Sequence, residues 1–175
     1  MASAPTTTPR LNGWRQPDVP TCAHFHASDP AQGDLAAALG AAEQQCAAAG
    51  ERWTPSRCRT YELLLRAGSP VKAYDLISSY AVEGEPVAKP PTVYRALEFL
   101  TEQGLVHRIE SLNAFLACRS DHHGHATEFL ICDCCGRVDE LDLGVDQAAF
   151  SAASARGFTP SRVVLEVHGV CADCT

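Results

Sequence analysis

The chain has 175 residues, 46% of them apolar, with 14 Lys+Arg against 21 Asp+Glu for a formal net charge of −7. That apolar share excludes a wholly disordered chain, and the length suits one domain or two small ones. The first 18 residues hold no apolar secretory core and no apolar run could span a bilayer, so a cytoplasmic protein is expected, in which 9 Cys point to metal or redox chemistry rather than structural disulfides.

The acidic balance argues against non-specific nucleic-acid binding by the whole surface. However, 8 of the 14 basic residues fall between positions 52 and 110, which leaves room for a local polyanion site. Residues 1–33 run through Pro, Thr, Ala and Gln without a period and read as a flexible tail. Cys22, His24 and His26 lie in it, but a loose tail would ligate a metal only adventitiously.

From Asp34 the pattern becomes helical. Leu35, Leu39, Ala42, Cys46 and Ala49 recur at three- and four-residue steps, with Asp34 as N-cap and Gly50 past the end. Cys46 lies on this apolar face as a small hydrophobe. A second helix opens on Thr54 as N-cap and Pro55 at the first helical position, then runs through Cys58, Tyr61, Leu64 and Leu65 to Gly68. A third follows Ser69-Pro70, turns Ala73, Leu76, Ile77 and Tyr80 inward, and stops near Gly84. A fourth follows Lys89-Pro90-Pro91, with Thr92 as its cap, Val93, Ala96, Leu97 and Leu100 inward, and Gly104 at its end.

Residues 105–110 and 113–118 alternate around a Ser111-Leu112 turn and form a hairpin. Helices followed by a two-stranded wing make a winged helix-turn-helix. A polar stretch with His122, His123 and His125 comes next. Strands at 127–131 and 138–143, a helix at 145–156 stopped by Gly157, and a strand at 162–168 complete a ββαβ unit. The fold class is therefore α+β. A unit of roughly 45–50 residues ordinarily needs a metal, a disulfide or a partner subunit for stability.

Three groups of residues carry chemistry. The strongest is Cys132-Asp-Cys134-Cys135 with Cys171-Ala-Asp-Cys174. Two C-x-x-C pairs, each at a strand end, can supply four thiolates to a tetrahedral Zn²⁺. Cys134 could replace Cys135, but only Cys132 and Cys135 have the two-residue spacing, which leaves Cys134 as a spare thiol. A second, dispersed group is His107, Cys118, His122, His123, His125 and Glu140 around the junction of the two units. Mixed imidazole, thiolate and carboxylate donors suit Zn²⁺, and the thiolate works against Fe²⁺ and Mn²⁺. The third is the start of the fourth helix. Thr92 caps a helix N-terminus that attracts phosphate. Tyr94 and Arg95 project from its first turns, where an Arg fork can read guanine. Lys89 precedes the helix and, with Arg57, is placed near the DNA backbone.

The run from Ala88 to Ser111 resembles the Fur family of metal-dependent regulators, most nearly its zinc-uptake regulator branch. So do Thr54-Pro55-Ser56-Arg57, Phe129 to Gly136 and His168 to Cys174. The flexible tail at 1–33 departs from the compact family pattern; beyond it the resemblance implies a winged-helix DNA-binding domain at 34–118, a hinge and metal loop at 119–126, and a dimerisation and zinc-binding domain at 127–175. It implies a structural zinc on Cys132, Cys135, Cys171 and Cys174, and a regulatory zinc on His107, Cys118, His125 and Glu140, two ions per chain. The function implied is a homodimeric, zinc-responsive repressor of zinc uptake and homeostasis genes that binds double-stranded operator DNA, with no membrane, no small-molecule substrate and no enzymatic activity. The near rival is a Fur-family repressor sensing iron or peroxide. A zinc hydrolase or deaminase is disfavoured because H-E-x-x-H and H-x-E…P-C-x-x-C are absent. A thiol oxidoreductase using Cys132 and Cys135 is disfavoured by the second C-x-x-C pair.

Overall fold

The computed structural model describes residues 32–80, 89–118, 128–141, 145–160 and 163–175. Its first helix, α1 (Gln32–Ala48), begins two residues before Asp34, which falls in the first turn. Ala42 and Cys46 are fully buried on its inner face, and Gly50 takes the left-handed conformation at φ 75° beyond its end. α2 (Pro55–Ala67) starts as its sequence dictates. Thr54 is extended, its side chain accepts from the Arg57 N–H, and Gly68 closes the helix at φ 59°. Thr60, Tyr61, Leu63 and Leu64 face inward. The buried Thr60 hydroxyl is satisfied by donating to the Ser56 carbonyl at 2.8 Å.

α3 (Ala73–Ser79) is shorter than the sequence suggests and starts later. Val71 is held in a β-bridge to Phe115, with both backbone bonds at 2.8 Å. A residue committed to that extended pairing cannot enter a helix, so α3 begins after Lys72. The expected end near Gly84 lies outside the described residues.

α4 (Pro90–Glu102) corrects the expected cap. Lys89, extended at ψ 137°, is the N-cap, Pro90 and Pro91 occupy the first helical turn, and the Thr92 N–H bonds to the Lys89 carbonyl at 2.8 Å. Thr92 is thus already helical. Proline is compatible with this position because its fixed φ is helical and the N–H it lacks has no intrahelical acceptor there. Val93, Leu97, Phe99 and Leu100 are buried in the core with α2 and α3, each contributing about 1.5–3 kcal/mol of transfer free energy, and Ala96 is buried on the same side.

β1 (Val106–Ile109) and β2 (Ala114–Ala117) pair antiparallel, and Asn113 at φ 47° closes the turn between them. Asn tolerates that left-handed conformation better than most residues. In the second sheet β3 (Glu128–Cys132) lies between β4 (Val138–Leu141), antiparallel, and β5 (Leu165–Gly169), parallel. α5 (Val145–Ser154) provides the crossover. The two sheets share an apolar cluster in which Ile109 and Leu116 of the wing meet Phe129 and Ile131 of β3, with Leu112 and Val138 at its edge. No described helix is long and apolar enough to cross a membrane.

Candidate metal centres and nucleic-acid face

Backbone pairing gathers the four cysteines. β3 ends at Cys132 opposite Gly169 of β5, and the Asp133 N–H donates to the Gly169 carbonyl at 2.8 Å. The chain then turns sharply. Gly136, at φ 72°, donates to the Cys132 carbonyl at 2.9 Å. A 3₁₀ turn over Ala172–Cys174 folds the second pair in the same way. The Sγ atoms of Cys132, Cys135, Cys171 and Cys174 all lie within 4.8 Å of one another, and Cys135 and Cys171 are 3.8 Å apart. Four thiolates at the Zn–S bond length of about 2.3 Å, placed at tetrahedron corners, are separated by about 3.8 Å. The donor set therefore fits zinc in both chemistry and spacing. Cys134 lies outside the cluster.

The electrostatics favour a thiolate at one corner. Backbone N–H groups, that of Cys135 foremost and those of Cys171 and Cys134 besides, hold the Cys132 thiol down at about 6 despite burial. Burial pushes the Cys135 thiol up. Outside the cysteines, Arg137 bonds Asp173 at 2.8 Å and Asp139 at 3.1 Å, and His168 Nδ1 lies 2.9 Å from Asp133 Oδ1, so the two knuckles are also tied to each other by their intervening residues.

A second group draws on both sheets. His107 is on β1, Cys118 directly follows β2, and Glu140 is on β4. Their donor atoms lie within 4.8 Å of one another, with Cys118 Sγ 3.9 Å from Glu140 Oε2. The Cys118 N–H donates to the Leu105 carbonyl at 2.9 Å, which fixes the thiol's backbone. The His107 ring meets Phe129 edge-on at 5.6 Å. Tyr61 of α2 is close by: burial, then the charges of Cys118 and Glu140, push its hydroxyl up to about 12. His122, His123 and His125 lie outside the described residues, as do Cys22, His24 and His26. An imidazole, a thiol and a carboxylate at this spacing are a fitting donor set for Zn²⁺.

At the start of α4 the structure leaves Lys89, Thr92, Tyr94 and Arg95 exposed on one side while Val93, Ala96 and Leu97 turn into the core. Among the described residues no ion pair engages Lys89 or Arg95. Arg57 makes contacts within the fold. Its guanidinium lies 3.2 Å over the Phe99 ring, donates to the Arg52 carbonyl, and sits 3.8 Å from Glu51. These contacts make it a brace between α2 and α4. Within the Thr54-Pro55-Ser56-Arg57 motif, Thr54 caps α2 through the Arg57 N–H while the Arg57 side chain reaches Phe99 of α4.

Residues 48–168 match the ferric uptake regulator (Fur) family. The chain belongs to the Fur family. Within it, the chain is 43% identical to the zinc uptake regulation protein of Escherichia coli (strain K12) over 138 residues, covering 78% of this chain and 80% of that one. It is 34% identical to the peroxide operon regulator of Bacillus subtilis (strain 168) over 131 residues, covering 72% of this chain and 86% of that one. Among solved structures it resembles a zinc uptake regulator complexed with zinc and DNA, with 42% identity, 80% and 94% coverage and a TM-score of 0.74. It also resembles holo XcZur, with 45% identity, 78% and 95% coverage and a TM-score of 0.70.

One feature of this Fur-family chain left no motif in its sequence. Glu166 of β5 accepts the backbone N–H groups of Glu110 at 2.7 Å and Ser111 at 3.0 Å, and so reaches from the second sheet to the wing turn. A single carboxylate in a short strand carries no spacing signal that would have marked it.

Proposed function

We propose that the chain is a zinc-responsive, DNA-binding transcriptional repressor of zinc uptake and homeostasis genes, acting in the cytoplasm as a homodimer and not as an enzyme. The observation that supports this most directly is the His107, Cys118 and Glu140 group, whose donors come from the wing and from the C-terminal sheet yet lie within 4.8 Å. The likeness to a zinc uptake regulator complexed with zinc and DNA points the same way. The DNA-binding domain would run from α1 to residue 118, the hinge over 119–126, and the dimerisation domain over 127–175. Cys132, Cys135, Cys171 and Cys174 would hold one zinc, and His107, Cys118, Glu140 and His125 of the hinge a second.

A zinc ion at the second group would supply bonds to both sheets at once. The residues dictate the consequence. His107 and Cys118 approach Glu140 only while the wing rests on β3 and β4, so the ligand set is complete in one interdomain arrangement and favours it. The Cys118 thiolate turns the metal choice towards Zn²⁺ and away from iron. The test is operator binding titrated against free zinc, with metal counted per chain. Affinity should rise as occupancy goes from one to two ions. Binding independent of zinc, or driven by Fe²⁺ at lower concentration, would overturn the reading.

On DNA, α3 and α4 would act as the helix-turn-helix, with α4 in the major groove. Arg95→Ala should cost about 1–3 kcal/mol at the preferred site and relax base choice there, as loss of a bidentate base contact does. Lys89→Ala should weaken all sequences alike and reduce the salt slope by about 1, as loss of one phosphate contact does. Binding to the operator and to base-substituted duplexes across a salt series separates the two. Loss of selectivity in Lys89→Ala but not in Arg95→Ala would place α4 in the wrong register.

A further inference from the structure

The row of residues that crosses the second sheet beneath the wing runs Glu140 on β4, Phe129 on β3 and Glu166 on β5, in direct register. Directly paired residues project from the same face of a sheet. Phe129 touches the His107 ring, and Glu140 approaches Cys118. Glu166, at the other end of the row, faces the wing turn rather than a metal donor. Its side chain is only 11% exposed, and each carboxylate oxygen accepts one of two successive wing-turn amides, those of Glu110 and Ser111. His168 Nε2 stands 3.9 Å away and is itself held against Asp133 of the first cysteine knuckle. Burial would raise the Glu166 carboxyl, but the bonds from Ser111 and Glu110 and the neighbouring His168 outweigh it and leave it below the usual carboxylate range. The group is therefore an anion at neutral pH. Two charge-assisted bonds to adjacent amides from a nearly buried carboxylate are strong and directional.

We propose that Glu166 is a positioning residue that latches the wing to the C-terminal sheet independently of the second metal ion and thereby sets the zinc concentration at which the chain becomes competent for DNA. This rests on the function proposed above. The ligand affinity of a protein is reduced by the fraction of molecules outside the competent arrangement. A latch that holds the wing down before the ion arrives raises that fraction, so the donors of His107, Cys118 and Glu140 meet zinc already assembled. Without the latch the ion must itself gather the two sheets, and more zinc is needed for the same occupancy. Once zinc is saturating, the latch adds little, because the ion's own bonds hold the arrangement.

The test uses the full-length dimer carrying one zinc per chain, as wild type, Glu166→Gln and Glu166→Ala. The glutamine keeps the volume but loses the charge and one acceptor, so it decides the question should the alanine variant fail to fold. Amide hydrogen exchange of Glu110 and Ser111 should accelerate about tenfold or more in the variants, while the Val71 and Phe115 amides of the neighbouring bridge keep their protection. The zinc concentration giving half-maximal operator binding should rise about tenfold, with affinity at saturating zinc within twofold of wild type. Unchanged exchange at Glu110 and Ser111 would remove the latch. Faster exchange with an unmoved zinc midpoint, or an affinity loss that persists at saturating zinc, would overturn its role in the response. A wild-type chain that ignores zinc on DNA would instead refute the function, while the exchange result would still decide whether the latch exists.

Discussion

Serine in place of Cys135 or Cys171 is expected to abolish the stable dimer. The four Sγ atoms within 4.8 Å would let one ion join the knuckle at the end of β3 to the knuckle after β5. Structural zinc contributes apparent binding free energies of about 10–16 kcal/mol at such sites, against a net domain stability of about 5–15 kcal/mol. Removing one thiolate leaves an incomplete tetrahedron of three thiols. Besides the backbone pairing of Cys132 with Gly169 and the bond from Asp133 N–H to the Gly169 carbonyl, the ion pairs between the knuckles among the described residues are Arg137 to Asp173 and His168 to Asp133, both solvent-exposed, where such pairs are worth about 0–1 kcal/mol. Zinc per chain measured with sedimentation is the check, with Cys134→Ser as a control that should be nearly silent. A Cys135→Ser protein that remains dimeric with undiminished zinc would show that the site lies elsewhere.

His107→Ala and Cys118→Ser should act differently: the dimer folds, one zinc per chain stays, and zinc-dependent operator affinity is lost. These side chains border the apolar cluster of Ile109, Leu116, Phe129 and Ile131 but are not members of it, so the packing between the sheets persists. What disappears is the free-energy coupling between the metal and the interdomain arrangement, ordinarily about 5–150-fold in affinity. Glu140→Gln should fall in the same class, since its carboxylate approaches Cys118 at 3.9 Å. A folded His107→Ala protein that responds to zinc at wild-type concentration would remove His107 from the site.

Much of this was legible in the sequence because it obeys local rules. Thr54 before Pro55, Gly68 after an apolar helical stripe and Gly136 after Cys135 act through the backbone of their immediate neighbours, and each stands where those rules put it. The alternation around Ser111-Leu112 likewise reports a period of two that needs no distant partner to be read. Two C-x-x-C pairs announce themselves because a tetrahedral ion demands that spacing, although only the parallel pairing of β3 with β5 brings the pairs together.

Other features depend on residues far apart in the chain. The start of α3 shifted because Val71 pairs with Phe115, 44 positions away, a competition between helix and bridge that nothing near Val71 reveals. Thr92 lost its expected capping role to Lys89 because two prolines fit the first turn ahead of it. The contact of Arg57 with the Phe99 ring of α4, 42 positions on, likewise has no local signal in the sequence. Glu166 was invisible until the sheet carried it under the wing. By itself, then, the sequence determined the order and type of the elements, the Thr54 and Gly68 caps of α2 and the chemistry of the donors, since those follow from neighbours within about four residues along the chain. Only the tertiary structure decided which donors share a site and which charges are spent inside the fold, because long-range pairing sets those distances.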